Sequence, residues 1–312
     1  MSQKAIYGTS AIHRYILCGW HVRSEIAFTG VPTSMHAGEN ADILIQIPPE
    51  DSPIAKNASE FINHSLERSL IRIHSVADFE ITVGQQIRVW PRAEARQRDI
   101  EIFLFGPAWA TLCHQRGMLP LHASAIATRQ GITAFAGHSG AGKSTTAALL
   151  NSLGYELLAD DILPISFNRN SIPGAWPYLR RLKLHRGLIN QLALTPADMV
   201  GETLDKEKYF VYPKRTANDK WRRLERLYLL EHSVADSQVS IEQLTGADAV
   251  RALVDQTYHF NFVLDTKQLD HHLAFCARLA SKILVYRLRC PPINDAGNKR
   301  AFTIYAHLQG RA

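Results

Sequence analysis

The run Gly137-His138-Ser139-Gly140-Ala141-Gly142-Lys143-Ser144, followed by Thr145, fits the spacing GxxxxGK[ST] at every fixed position. Glycines there let successive backbone N–H groups turn inward around an anion. The lysine reaches the outer phosphates of a nucleotide, and the serine hydroxyl offers a ligand to Mg²⁺. The context agrees: "GITAFAG" (131–137) is a β-run, and "KSTTAALLNSLG" (143–154) reads as an amphipathic helix closed by Gly154. Residues 137–145 are therefore expected to hold nucleotide phosphates. His138 occupies a variable position of the pattern.

Two flanking stretches bear on where the phosphate goes. "YELLADD" (155–161) is a short apolar run that ends in two aspartates. A strand returning from a phosphate-loop helix rejoins the same sheet in a right-handed crossover, which brings Asp160 and Asp161 to the phosphate edge. Two adjacent carboxylates can divide into a metal ligand and a base for an incoming hydroxyl; a pair that only caps a turn before Pro164 is the plainer reading. On the other side, "LHASAIAT" and "ITAFAG" flank "RQG" (129–131), the pattern of a short hairpin. Pairs summing to about 260 set His122 opposite His138, at the mouth of the loop. A slip of one residue would turn that side chain away.

These pieces need a scaffold. Residues 1 to about 115 read as strands with one helix: "DILIQI" (42–47), then "LIRIHSVADFEITVGQQIRVW" (70–90) with turns near Asp78 and Gly84, then a helix over 98–117 capped by Gly117. "PPEDSP" (48–53) is a loop. From 119 the texture becomes strand, loop, helix, strand. A loop-rich middle (162–220) leads to a strand at 226–231, helices at 246–257 and 269–281, a strand at 282–289 and a last helix from Asn298. The side-by-side His271 and His272 point about 100° apart on a helix and cannot share a metal.

With 312 residues and 46% apolar content, the chain can bury a core without covalent staples. The first thirty residues contain no signal-peptide core, and no eighteen-residue uncharged run is present, so the expected setting is cytoplasmic with no membrane partner. Four scattered cysteines without a CxxC pair read as buried small hydrophobes. The net charge of +6 concentrates in "KEKYFVYPKRTANDKWRRLER" (206–226), with a smaller cluster at Arg180, Arg181, Lys183 and Arg186. Such a run is either a solvated face or a loop closing on an anion. No RRM, KH or helix-turn-helix pattern accompanies it, which disfavours nucleic acid. The oligomeric state is open, a homo-oligomer included.

"LHASAIA…GITAFAGHSGAGKS…LLADD" resembles the catalytic core of HPr kinase/phosphorylase, strongly over 119–162 and more weakly at "LKLHRGLIN" (182–190), where Lys183 stands in place of an acid. "YGTSAIHRYILCGWHVRSEIAF", "LFGPAWATLCHQRGMLPLHASAI", "AWPYLRRLKL" and "ILVYRLRCP" extend the likeness over most of the chain to the HPr-kinase-like proteins of lasso-peptide gene clusters. The resemblance implies an α/β fold: a P-loop, HPr-kinase-like core with a mixed sheet (118–312), preceded by a β-rich α+β region (1–117) with a possible role in peptide recognition. It implies phosphoryl transfer from ATP or GTP, with Mg²⁺, to a serine hydroxyl, in that group the C-terminal serine of a precursor peptide. Carried over by position, Lys143 and Ser144 hold phosphates and Mg²⁺, and His122 orients the reactants. Asp160 is the base, Asp161 the metal ligand, and a basic residue among Lys214, Arg215, Arg222 and Arg223 contacts phosphate. A carboxykinase-like small-molecule enzyme, a nucleic-acid or nucleoside kinase, and a non-catalytic nucleotide-gated peptide carrier remain as alternatives.

Overall fold

The computed structural model describes residues 12–34, 40–49, 62–199, 208–232, 239–290 and 296–310. The loop expected at 48–53 lies, from residue 50 onward, outside them. The chain divides into two units, Met1–Pro120 with His259–Leu269, and Leu121–Tyr258 with Asp270–Ala312.

The first unit is built on strands β1 (His13–Leu17), β2 (Trp20–Ser24), β3 (Ile43–Gln46), β4 (Ile62–Asn63), β5 (Arg68–Ile73), β6 (Ala77–Thr82) and β7 (Gln86–Pro91), ordered β1-β2-β3-β7-β6-β5-β4. In β6, Phe79 and Ile81 alternate with Asp78 and Glu80, and all four are buried. The turn expected near Asp78 falls earlier, where the Val76 N–H bonds the Ile73 carbonyl. Asp78 belongs to the strand because Arg72 and Arg92 neutralise it at 3.1 and 2.7 Å, so an acid that reads as a turn former is buried instead. The helix expected at 98–117 is interrupted: α1 (Gln97–Phe103) and α2 (Trp109–Gln115) are joined by a π-helical turn, Leu104–Ala108. Pro107 has no N–H to give to an α-helical ladder, and the wider turn accommodates it.

After β8 (Leu119–Leu121), which crosses the boundary, the elements that make up the second unit follow in this order: β9 (Ala123–Ala127), β10 (Ile132–Ala136), α3 (Lys143–Ser152), β11 (Glu156–Ala159), β12 (Leu163–Phe167), β13 (Pro173–Ala175), β14 (Leu182–His185), α4 (Arg186–Gln191), β15 (Pro196–Met199), β16 (Lys208–Val211), β17 (Arg222–His232), β18 (Ser240–Leu244), α5 (Gly246–Asp255), α6 (Leu269–Ala280, from Asp270 on), β19 (Leu284–Cys290) and α7 (Ala296–Leu308). The span expected to be loop-rich, 162–220, thus contains short strands, including a separate sheet β14-β16-β15. Runs of three to five residues are too brief to display a period.

The central sheet runs β11-β9-β10-β17-β19-β18. Strands β10, β17 and β19 are mutually parallel, and β9 is antiparallel to both β10 and β11. Hence β10 and β11 point the same way, and the segments leaving them emerge at one edge. Every residue of β9 and β10 is buried, as strands covered on both faces require. Ile126, Phe135, Leu149, Leu150, Leu230 and Ile304 share one core, which packs α3 and α7 against the sheet. The fold is α/β with mixed sheets.

Candidate functional site

Residues 137–145 form the expected strand–loop–helix. Gly137, Gly140 and Gly142 adopt φ of +145°, +83° and +92°, a region L side chains rarely enter. At Gly137 a Cβ would also stand 2.6 Å from the carbonyl oxygen of Leu230. The loop ends at the N-terminus of α3, the positive end of the helix. Lys143 opens that helix and folds its Nζ back over the loop, donating to the carbonyls of Gly137 (2.7 Å) and His138 (3.2 Å). Burial draws its ammonium down to about 8, against the opposing pull of Asp161 and Asp160. His138, Ser139 and Gly140 are exposed; Ala141 is buried and Thr145 half-buried.

Asp160 and Asp161 leave β11 at the same edge, in different environments. Asp160 is 4% exposed. Its Oδ1 accepts from the hydroxyls of Ser124 (2.5 Å) and Ser144 (2.9 Å), and its Oδ2 from the backbone N–H of Lys183 (3.0 Å). Burial raises its pKa, and these hydrogen bonds only partly offset that. Asp161 has φ of +78°, a left-handed turn that aspartate tolerates better than most residues and that aims consecutive side chains apart. Its Oδ2 receives Lys183 Nζ at 2.7 Å, and its Oδ1 lies 3.9 Å from His122 Nδ1. Burial pushes this carboxyl up, but the lysines and the histidine beside it hold it below its ordinary value.

His122 lies beyond the hairpin ladder. Arg129 and Gln130 form a two-residue loop between Thr128 and Gly131, so paired residues sum to 259, as in Ala123↔Ala136. Continued by one step, this register sets His122 against Gly137 rather than His138, a correction of one residue. The imidazole reaches the site because β9 ends at Ala123 and the backbone departs: the His122 N–H bonds the Gln256 carbonyl (2.8 Å), and its ring stacks on Tyr258 at 5.3 Å and 16°. Burial and Lys143 bring its pKa down to about 4. At neutral pH the ring is uncharged, so its approach to Asp161 is a dipolar contact and not an ion pair.

Of the basic residues expected to meet phosphate, Arg222 and Arg223 do not gather here. Arg222 pairs with Glu156 and Arg223 with Glu225 at the start of β17, whereas Leu230, eight residues on, is the part of that strand beside Gly137. At strand spacing this is about 26 Å away. The carbonyl of Arg215 is bonded by the Asn151 amide and the Leu157 N–H. Lys183 and Lys208 act on the site, the first through Asp161 and the second through its field on Lys143. They occupy one face of the β14-β16-β15 sheet, where Lys208 is paired with His185, two residues from Lys183.

Four further residues shape the site without having been singled out by sequence. Ser124 shares strand parity with His122, a signal that was readable. Gln256 follows α5, and its Oε1 accepts from the Gly137 N–H at 2.8 Å. Tyr258 stacks on His122, and Arg300 of α7 donates to the Ala141 carbonyl at 2.6 Å. The last three lie more than a hundred positions from the loop, and no motif announces them. His271 is exposed, and His272 is buried against Thr257 at 3.1 Å.

Among the described residues no three His, Cys, Asp or Glu side chains converge as a metal cage. Mg²⁺ does not need one, since it keeps several waters and takes one or two carboxylates plus substrate phosphates. Ser144 Oγ and Asp160 Oδ1 are hard oxygen donors within 2.9 Å of each other beside the loop, a donor set that fits this ion.

No protein-family model and no curated protein matches the chain. Among solved structures, the Hpr(Ser) kinase/phosphatase from Coxiella burnetii is similar over 62% of this chain and 99% of that one, at 10% identity and a TM-score of 0.31. A score this low supports no inference about activity. Among the described residues no helix is long and apolar enough to cross a membrane. The functional reading rests on the geometry around Gly137–Thr145 and the two aspartates.

Proposed function

We propose that this protein is a phosphotransferase that moves the terminal phosphoryl group of ATP or GTP to an alcohol acceptor. The observation that carries this reading is the division of two adjacent carboxylates at the mouth of a phosphate loop: Asp160 touches the Ser144 hydroxyl, while Asp161 faces His122 and Lys183. A chain that only bound nucleotide would need the first aspartate and not the second.

The geometry favours the opposite assignment to the one expected from sequence. Asp160 and Ser144 would hold Mg²⁺, which supplies charge neutralisation between the donor's phosphates. Asp161, still ionised at neutral pH, accepts the proton of the acceptor hydroxyl. The acceptor oxygen forms its bond to the terminal phosphorus as the bond to the bridging oxygen breaks, the nucleoside diphosphate departs, and Asp161 retains the proton. A carboxylate with a lowered pKa is a weak base. That suffices here, because phosphoryl transfer depends mainly on positioning and charge stabilisation. Neutral His122 orients Asp161 or the acceptor through a hydrogen bond, and Lys143, Lys183 and Lys208 surround the transferred group with positive charge.

The narrower reading is a serine side chain on a peptide, with the C-terminal serine of a lasso precursor as the first candidate; it comes from the sequence resemblance alone. Intact mass spectrometry of a serine-ended precursor peptide, incubated with the protein, Mg²⁺ and ATP or GTP, tests both levels. A single-phosphate gain, absent with a Ser→Ala peptide and with Asp161→Asn protein, is expected. No gain on that peptide, together with phosphorylation of a small alcohol, would retain the reaction class and reject the peptide. Nucleotide binding with no transfer to either acceptor would leave a carrier and reject catalysis.

A further inference from the structure

Arg300 is a buried cation for which the proposed chemistry has no stated use. On α7 it is 2% exposed, its Nη1 donates to the carbonyl of Ala141 at 2.6 Å, and its other contact is the Cys290 thiol. Its Nε has no hydrogen-bond partner, and among the described residues no carboxylate pairs with it. Burial lowers its pKa. A guanidinium kept in the interior on these terms is costly, and an anion bound nearby would offset that cost.

Its position relative to the loop is specific. A trans peptide is planar, with its C=O and N–H on opposite sides. Arg300 fixes the C=O of Ala141 toward α7, so the N–H of Gly142 in the same peptide plane must point the other way, into the loop. The approach is possible only because residue 142 has no side chain: a Cβ there would collide with the guanidinium of Arg300. The helix that carries Arg300 is in turn seated on α3, where a Cβ at Gly297 would meet the Thr145 methyl at 3.1 Å. The glycine of the loop, the arginine of the C-terminal helix and the close packing of the two helices form one arrangement.

We infer that Arg300 is a positioning residue of the phosphate loop, holding the Ala141–Gly142 peptide so that its N–H faces the nucleotide phosphates and making α7 part of the nucleotide site. The inference rests on the phosphotransferase reading and extends it to a residue outside every recognised motif. Because Arg300 supports ground state and transition state alike, its loss raises KM for nucleotide and leaves kcat at saturation nearly unchanged.

The test is calorimetric titration of the full-length protein with Mg²⁺ and ATP or GTP, with thermal melts in parallel, for wild type, Arg300→Met, Arg300→Lys and Arg300→Ala. Arg300→Met should lose roughly tenfold or more in affinity, the effect of one charge-assisted hydrogen bond, and Arg300→Lys should fall between. Millimolar guanidinium should restore affinity to Arg300→Ala by reoccupying the space left behind, which a purely structural role does not predict. Should Arg300→Met or Arg300→Ala melt below the assay temperature, Arg300→Lys decides by its affinity and its KM-against-kcat split. Wild-type affinity in a folded variant overturns the inference, and so does a loss that follows the drop in Tm and ignores guanidinium. Failure of the wild type to bind either nucleotide would remove the phosphotransferase reading and this inference together; binding by the wild type with no effect at Arg300 removes the inference alone.

Discussion

Both units bury acidic side chains, and they neutralise them in different ways. In the first unit Asp78 is held by Arg72 and Arg92, and Glu80 by Arg68 and Arg88, so each of these two buried carboxylates of β6 has two guanidinium partners. In the second, Asp160 is also buried and receives two hydroxyls and one backbone N–H but, among the described residues, no bonded cation. Asp161 has one lysine and a neutral histidine. The first arrangement is closed, with charge balanced inside the fold. The second leaves a buried carboxylate still able to take a cation, at the edge where a phosphate loop ends. Between Asp78 and Asp160, the difference lies in neutralisation: the first is matched by cations inside the fold and the second is open to one.

The comparison can be broken by substitution. Removing Lys143 should have the largest effect on transfer: Lys143→Ala is expected to cost about 2.7–4 kcal/mol in the rate, that is 100-fold or more, as for one lost transition-state donor. A phosphorylation rate within a few-fold of wild type would exclude its role. Asp161→Asn should lower kcat by about 10²–10⁴ with nucleotide affinity unchanged, read in single-turnover transfer beside equilibrium binding.

In the first unit the effect should be on stability alone. Asp78→Ala leaves two guanidinium groups facing a cavity and is expected to cost about 3–5 kcal/mol of unfolding free energy, while the surviving folded protein binds nucleotide normally. Asp160→Asn, which removes no cationic partner, should cost about 1 kcal/mol or less. Chemical denaturation of the two variants compares them directly, and similar losses would contradict the contrast drawn between the units.

The smallest effect concerns acid. His259, in the first unit, is brought down to about 4 by burial and by His64, and burial lowers His64 as well. The unfolded chain therefore binds more protons than the folded one between about pH 6.5 and 4. Stability is full above pH 6.5 and falls as pH drops through that window. His259→Gln should flatten the decline in Tm measured across it; an unchanged slope would assign the decline to other groups.

Much of the site could be read from sequence because its chemistry is local. The loop, Lys143, Ser144 and both aspartates lie within 25 residues, and glycine spacing together with one short strand places them. The hairpin reading brought His122 close but missed its register by one, since whether two or three residues form the turn decides whether the pair sum is odd or even. The division of labour between Asp160 and Asp161 was not legible: it depends on a single positive φ and on Lys183, which arrives from a different sheet. Gln256, Tyr258 and Arg300 were hidden for a related reason, because each acts on a backbone atom of the loop or on a ring face, targets that impose no spacing on the sequence. The basic stretch 206–226 reaches the site through Lys208 and not through Arg222 or Arg223, because charge density says nothing about which end of an eleven-residue strand meets the loop.

The most direct test is the Mg²⁺ dependence of nucleotide affinity in the two aspartate variants, measured by calorimetry with and without the ion. Asp160→Asn should abolish the gain in affinity that Mg²⁺ brings to the wild type, and Asp161→Asn should keep it. The reverse pattern, with the gain lost at Asp161 and intact at Asp160, would contradict the assignment on which the account depends.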